Sequence, residues 1–272
     1  MNPGPLNTLP FFLTAWTIST LALLPILLAQ RGVIAGPAER FIGLTLFAVF
    51  SPMLAAMLVS RFERGGQGIG AVLRPLRDWR VSPMWYAIAF LISPLAFFLG
   101  VAVYKLTGGS GDVKWFYPPQ TPDRIAAMIM IPIGEEIGWR GFALPRLQRR
   151  YGPLNASLTL ALGWGLWHIP MFLFAGASVG WLMVAMVLFF VPGSVMYSWV
   201  FNRTRGLLPV AIIMHVGIHS NNSMLTLPKN VVPFLCHFAA LSVLAVVLLI
   251  ADRKVWRGEL PLDTDREAQR NA

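Results

Sequence analysis

The sequence predicts an all-α membrane protein, a polytopic bundle of about eight transmembrane helices. Hydrophobic residues make up 56% of the 272 residues and charged residues only 12%, whereas charged residues are about a quarter of a typical soluble domain. The mean hydropathy is +0.62. The apolar residues are also grouped into stretches of about 20, the length that crosses about 30 Å of hydrocarbon. Composition and grouping together exclude a soluble domain.

Eight stretches have this length, and we number the predicted spans from one to eight. They cover approximately residues 10–30, 41–60, 84–104, 124–145, 155–175, 181–201, 207–227 and 231–251. Residues 1–9 contain no Lys or Arg, so the first stretch is not typical of a secretory signal peptide and we expect it to remain as a span. The spans predict a single membrane-embedded domain, 1–258, followed by a polar tail, 259–272, which is expected to be disordered.

The net charge of +10 is distributed in short basic clusters between the spans. Fifteen Lys and Arg residues lie in the loops after spans two, four and six and in the C-terminal tail, and six lie in the alternate loops. Because cytoplasmic loops carry the excess of basic residues, this ratio places both termini in the cytoplasm. Topology in a lipid bilayer accounts for the positive charge, so we predict no nucleic-acid partner.

Span four carries two acids and a guanidinium, Glu135, Glu136 and Arg140, between uncharged flanks. Ionisable groups at this depth are costly unless they are paired or line a wet cavity, which marks a candidate functional site. On a helix, Glu136 and Arg140 are four residues apart and can form an ion pair, whereas Glu135 is about 140° away from Arg140. Glu135 is therefore the acid that is free for chemistry. Gly134 and Gly138 have the spacing that lets a neighbouring helix approach closely beside the acids.

Three histidines lie at a depth similar to that of Glu135: His168 in span five, and His215 and His219 in span seven. We expect these side chains to meet in one slab of the membrane, which favours a site over isolated interhelical hydrogen bonds. His237, in span eight, has no obvious acidic partner and is predicted to be structural.

Two chemistries fit one glutamate with three histidines. In the first, Glu135 is a general base that takes a proton from water, His168 orients that water, and His215 and His219 donate hydrogen bonds to an oxyanion. In the second, the four side chains are ligands of Zn²⁺, which lowers the pKa of bound water. The spacing of these residues does not decide between the two.

Three fragments carry a resemblance to a known family: EEIGWRGFALPRLQ, WGLWHIPMF and LPVAIIMHVGIH. They resemble the motifs EExxxR, FxxxH and HxxxN of the CAAX-protease and bacteriocin-processing family of intramembrane proteases. The stretch LRPLRDWRVSPMWY before span three also looks like bacterial members, so the resemblance covers about residues 72–222. It implies that Glu135 activates water together with His168, that His215 stabilises the oxyanion, and that Arg140 holds Glu136 as a supporting pair.

The sequence departs from these motifs at two positions. Trp164 stands where the second motif usually has Phe, which keeps an aromatic wall and is expected to change little. His219 stands where the third motif usually has Asn, which keeps a possible hydrogen-bond donor and adds a nitrogen that can bind a metal. The departure at His219 leaves both chemistries open.

Taken together, the sequence predicts an intramembrane endopeptidase whose site lies on spans four, five and seven. Its substrate would be a membrane-associated protein or peptide, and its location the inner membrane of a bacterial cell. Two alternatives are a non-enzymatic immunity or scaffold protein, and a proton-coupled transporter in which Glu135 and the histidines form a relay.

Overall fold

The computed structural model describes residues 7–110, 113–177, 179–221 and 231–260. Every regular element in these ranges is a helix, and the predicted all-α class is therefore confirmed. A helix satisfies its backbone hydrogen bonds internally, as an apolar segment in hydrocarbon must. Most of the predicted tail and the end of predicted span seven lie outside the described residues.

The first helices alternate with short connections. They are α1 (Leu9–Gln30), α2 (Thr45–Arg64), α3 (Gly68–Leu73), α4 (Pro83–Leu106) and α5 (Pro122–Gly138). Three 3₁₀ helices lie between them, at Ala38–Leu44, Gly65–Gln67 and Arg74–Arg77.

The remaining helices follow a five-residue π-helical turn, Trp139–Ala143. They are α6 (Leu144–Trp167), α7 (Ile169–Phe174), α8 (Trp181–Leu188), α9 (Phe190–Arg203), α10 (Leu208–Ser220), α11 (Val231–Ala251) and α12 (Arg253–Trp256).

Six helical segments of the described chain are long and apolar enough to cross a membrane. One of them, Pro122–Phe174, is 53 residues long and contains predicted spans four and five. It bends at Gly152, where φ is 75° and ψ is 169°, between the predicted spans. The predicted seventh span corresponds to α10, which has 13 residues and is shorter than a full crossing.

The outer surface of the bundle is apolar. Large side chains such as Leu21, Leu46 and Ile250 are about 60% exposed, whereas Glu136 and Arg140 are completely buried. A soluble protein that exposed so many large apolar side chains would aggregate. The chain is an integral membrane protein.

Close packing between α2 and α5 positions the acids. A Cβ atom added to Gly138 would lie 2.5 Å from the backbone carbonyl carbon of Pro52, and one added to Gly134 would lie 3.1 Å from the carbonyl oxygen of Val49. Only a residue without a Cβ fits at Gly138 without a shift of α2. The close helix approach predicted from the two glycines is confirmed.

Candidate active site

The site begins at the junction of α5 and the π-helical turn. Glu135 and Glu136 lie at the end of α5, and Arg140 lies inside the turn. A π-helical turn widens a helix locally and is frequent at functional sites. The spacing of the charged residues predicts an uninterrupted α-helix here, and no feature of the sequence indicates the turn.

The predicted ion pair between Glu136 and Arg140 is present. Arg140 Nη1 donates a hydrogen bond of 2.9 Å to Glu136 Oε1, and both side chains are fully buried. The guanidinium contacts the faces of two aromatic rings, with Cζ 4.2 Å from the ring centroid of Trp164 and 3.9 Å from that of Tyr197. These cation–π contacts replace part of the hydration that the buried cation has lost.

Glu135 points away from that pair and lines an internal cavity. Its Oε2 atom accepts a hydrogen bond of 2.8 Å from Trp164 Nε1. A phenylalanine at position 164 could not donate this bond. The aromatic wall expected of Trp164 is present, and the indole in addition holds the carboxylate, a contact that the expectation of little change did not include.

His168 follows directly after the last residue of α6. Its Nδ1 atom is 2.9 Å from the backbone oxygen of Trp164. Because a carbonyl oxygen only accepts, Nδ1 donates this hydrogen bond. In a neutral ring Nε2 then carries no hydrogen and can accept one from water. The ring lies against Phe190, with centroids 4.3 Å apart.

His215 and His219 lie one turn apart on α10. The Nδ1 atom of His215 is 2.7 Å from Glu136 Oε1, the oxygen that also accepts from Arg140. The two imidazole rings stack, with centroids 5.1 Å apart and planes inclined by 16°. Glu136 therefore positions the His215 ring, which in turn packs against the ring of His219.

One cavity of about 520 Å³ brings the predicted side chains together. Glu135, His168, His215 and His219 all line it, whereas Glu136 and Arg140 do not. The rest of its wall is mainly apolar and comes from α2 and from α4 to α11. The arrangement can hold water beside a carboxylate and admit an apolar ligand.

A fourth histidine, for which the sequence predicts only a structural role, also lines the cavity. This residue is His237, on α11. Its position on a helix without an acidic residue gave no signal, because the helix packing that brings it to the cavity is a long-range feature.

A Zn²⁺ site would require Glu135, His168, His215 and His219 to converge on one ion. Within the part of the chain that the structure describes, no three His, Cys, Asp or Glu side chains are close enough together to hold a metal ion. In addition, Glu135 Oε2 accepts a hydrogen bond from Trp164. As arranged, these residues do not fit a metal centre, although the Nε2 atoms of His168 and His215 have suitable chemistry.

Fold and site together define a polytopic membrane protein that holds a carboxylate and several histidines in an internal cavity. A family model described as "Type II CAAX prenyl endopeptidase Rce1-like" matches residues 117–220, which include all three motifs. The chain is also 24% identical over 187 residues to CAAX prenyl protease 2 of Methanococcus maripaludis. That similarity covers 62% of this chain and 66% of the relative, slightly less than two thirds of its length. The resemblance predicted from the three motifs is confirmed: over residues 117–220 the chain is similar to the Rce1-like CAAX endopeptidases.

Proposed function

We propose that the protein is an intramembrane endopeptidase that hydrolyses a peptide bond of a membrane-associated protein or peptide. The observation that carries the proposal is the position of Glu135, a buried carboxylate that lines the cavity together with His168, His215 and His219. The match of residues 117–220 to a family model of prenyl endopeptidases supports the same reaction class.

Glu135 is the general base in this proposal. It takes a proton from a water molecule, and the resulting hydroxide attacks the carbonyl carbon of the scissile bond. The same proton then passes to the leaving nitrogen as the C–N bond breaks. Trp164 holds Oε2 of the carboxylate, which limits the orientations that Glu135 can adopt. His168 Nε2 accepts a hydrogen bond from the water and orients it.

His215 and His219 stabilise the oxyanion in different ways. Ionised Glu136 accepts from His215 Nδ1, so a neutral His215 ring has no hydrogen left on Nε2. His215 can donate to the oxyanion only as an imidazolium, which the adjacent Glu136 carboxylate would stabilise. His219 stacks on His215 and can donate as a neutral ring, as an asparagine amide can. The direct neutral donor is therefore His219.

Zn²⁺ remains the alternative cofactor. If it were bound, Glu135, His168, His215 and His219 would have to rearrange around it, and the metal would supply an activated water at neutral pH. The separation of these side chains in the described part of the chain and the hydrogen bond that occupies Glu135 Oε2 favour the reaction without a metal.

The activity test uses purified protein in lipid nanodiscs and a library of internally quenched apolar peptides. Glu135→Gln should reduce turnover by about 10² to 10⁴, the usual contribution of a general base. Glu63→Gln is the matched control, because Glu63 forms its ion pair with Arg146 and does not line the cavity. Its turnover should match the wild type.

Wild-type turnover in Glu135→Gln would contradict the assignment of the base. If no peptide is cleaved by the folded wild type, the same protein in sealed vesicles distinguishes the alternatives. Proton-coupled flux that Glu135→Gln abolishes would indicate a transporter, whereas neither activity would indicate a scaffold or immunity protein.

A further inference from the structure

His237 is a buried polar side chain that the proposed reaction does not use. It is 6% exposed, and its Nδ1 atom has no hydrogen-bond partner among the described groups. A neutral imidazole has one donor and one acceptor, and leaving a ring nitrogen unpaired in apolar surroundings is unfavourable. A leucine or phenylalanine would fill the same space without this cost. The ring nevertheless lines the cavity.

The packing around His237 holds the ring in place. A Cβ atom added to Gly100 would lie 2.6 Å from the Cα atom of His237, so α4 and α11 are in backbone contact here. The Phe97 ring lies 5.4 Å away at 88°, and the Phe189 ring 5.1 Å away at 68°. Rings on both sides leave the imidazole little rotational freedom.

A wall of aromatic rings connects His237 to the proposed reaction centre. The ring of Trp164, which holds Glu135, is 4.7 Å from Phe190. Phe190 is 6.4 Å from Phe189, and Phe189 is 5.1 Å from His237. The ring centroids of Trp164 and His237 are therefore at most as far apart as about five residues of extended chain, at about 3.3 Å per residue. The wall between them offers apolar contact only.

We propose that His237 forms a second polar subsite, which donates a hydrogen bond to a carbonyl or carboxylate oxygen of a bound peptide. The inference rests on the proposed function and specifies its substrate class. The peptide would carry apolar side chains between the scissile bond and this oxygen, which would lie within about five residues of that bond. His237 is a specificity determinant and takes no part in the reaction.

Binding can be measured separately from cleavage in the Glu135→Gln background. The probes are dye-labelled peptides of eight apolar residues with a free C-terminal carboxylate or a carboxamide, and fluorescence anisotropy in nanodiscs gives Kd. Adding His237→Phe, which keeps an aromatic ring, should weaken binding about 10-fold, the equivalent of one hydrogen bond. His237→Gln keeps a donor and should recover most of the affinity.

Phe234→Leu provides the matched control. Phe234 lies one turn earlier on α11, stacks on the same Phe189 at 5.4 Å, and does not line the cavity. Its affinity should equal that of the parent. A loss seen only with the free-acid peptide identifies a C-terminal carboxylate as the ligand, and an equal loss with both peptides identifies a main-chain carbonyl.

Three results would overturn the subsite. The first is an unchanged Kd in His237→Phe, and the second is an equal loss of affinity in Phe234→Leu. The third is no recovery of affinity in His237→Gln, provided that this variant unfolds at the same temperature as the parent. The proposed function can fail independently. If the wild type cleaves no peptide but binding still depends on His237, the endopeptidase is disproved and the subsite stands.

Discussion

At the scale of single residues, the two departures from the family motifs change the site in specific ways. Trp164 adds a donor to the Glu135 carboxylate, and His219 adds a ring that stacks on His215. Trp164 and Glu135 lie on different helices, whereas His219 and His215 lie one turn apart on α10. Each departure gives a prediction that separates its role from general packing.

Trp164→Phe should lower kcat about 10-fold with little change in KM, because it removes one hydrogen bond to a charged group. The variant should remain folded, since phenylalanine is the usual residue of the motif. Trp199→Phe is the control, because Trp199 Nε1 also donates a 2.8 Å bond to a carboxylate, that of Asp252, and does not line the cavity. Steady-state kinetics with a cleaved peptide gives kcat and KM for each variant. Equal kcat values in Trp164→Phe and the wild type would contradict the proposal that Trp164 positions Glu135.

His219→Asn should keep kcat within about 10-fold of the wild type, because an amide can also donate to the oxyanion. Activity should also survive prolonged chelation. His215→Asn provides the contrast and should lose far more, since it breaks the contact with Glu136. Two results together would establish a metalloenzyme instead: His219→Asn is inactive, and a chelator inactivates the wild type in a way that added Zn²⁺ reverses.

At the scale of elements, the contact between α2 and α5 determines where the acids lie. The π-helical turn after α5 brings Arg140 beneath the ring of Trp164, on the next helix of the chain. Gly138, which touches Pro52 of α2, directly precedes this turn. A side chain at Gly138 should therefore disturb the whole arrangement.

Gly138→Ala should destabilise the bundle by about 1 to 3 kcal/mol, the usual cost of overpacking. The added methyl group would meet the backbone of Pro52 at 2.5 Å, which cannot move aside as a flexible side chain can. Gly193→Ala is the control, because nothing lies within 4 Å of its added Cβ atom. Thermal unfolding in detergent should show a lower midpoint for Gly138→Ala only, and equal midpoints would mean that α2 moves at little cost.

At the scale of the whole molecule, the basic residues of the loops predict an orientation in the membrane. The connection that contains the Gly65–Gln67 helix is followed by Arg74, Arg77 and Arg80, whereas the segment near Val179 carries no charge between Arg150 and Arg203. We propose that the first connection and both termini are cytoplasmic. Both positions are accessible, since Val179 is 83% exposed and Gln67 is also exposed.

Cysteine labelling tests this orientation in a variant without Cys236. A membrane-impermeant maleimide added to intact cells should label Val179→Cys and leave Gln67→Cys unlabelled. Permeabilised cells provide the control, because both positions should then react. The reverse pattern in intact cells would invert the topology while leaving the internal site unchanged.

The sequence by itself determined the helical class, the approximate spans and which of the two acids pairs with Arg140. These features are local: hydropathy depends on neighbouring residues, and the Glu136–Arg140 pair depends on a spacing of four. The motifs also singled out four side chains that line one cavity. Their proposed roles await the kinetic tests.

Only the tertiary structure decided which other groups meet these residues. Trp164 bonds to Glu135 and His215 contacts Glu136 across different helices. His237 reaches the cavity wall from yet another helix, α11. Such contacts depend on how far helices rotate and how closely they approach, which close packing against residues such as Gly100 and Gly138 determines. The sequence pattern of one helix does not specify how the neighbouring helix is rotated. For that reason the position of His237 in the cavity wall could not be predicted from the sequence.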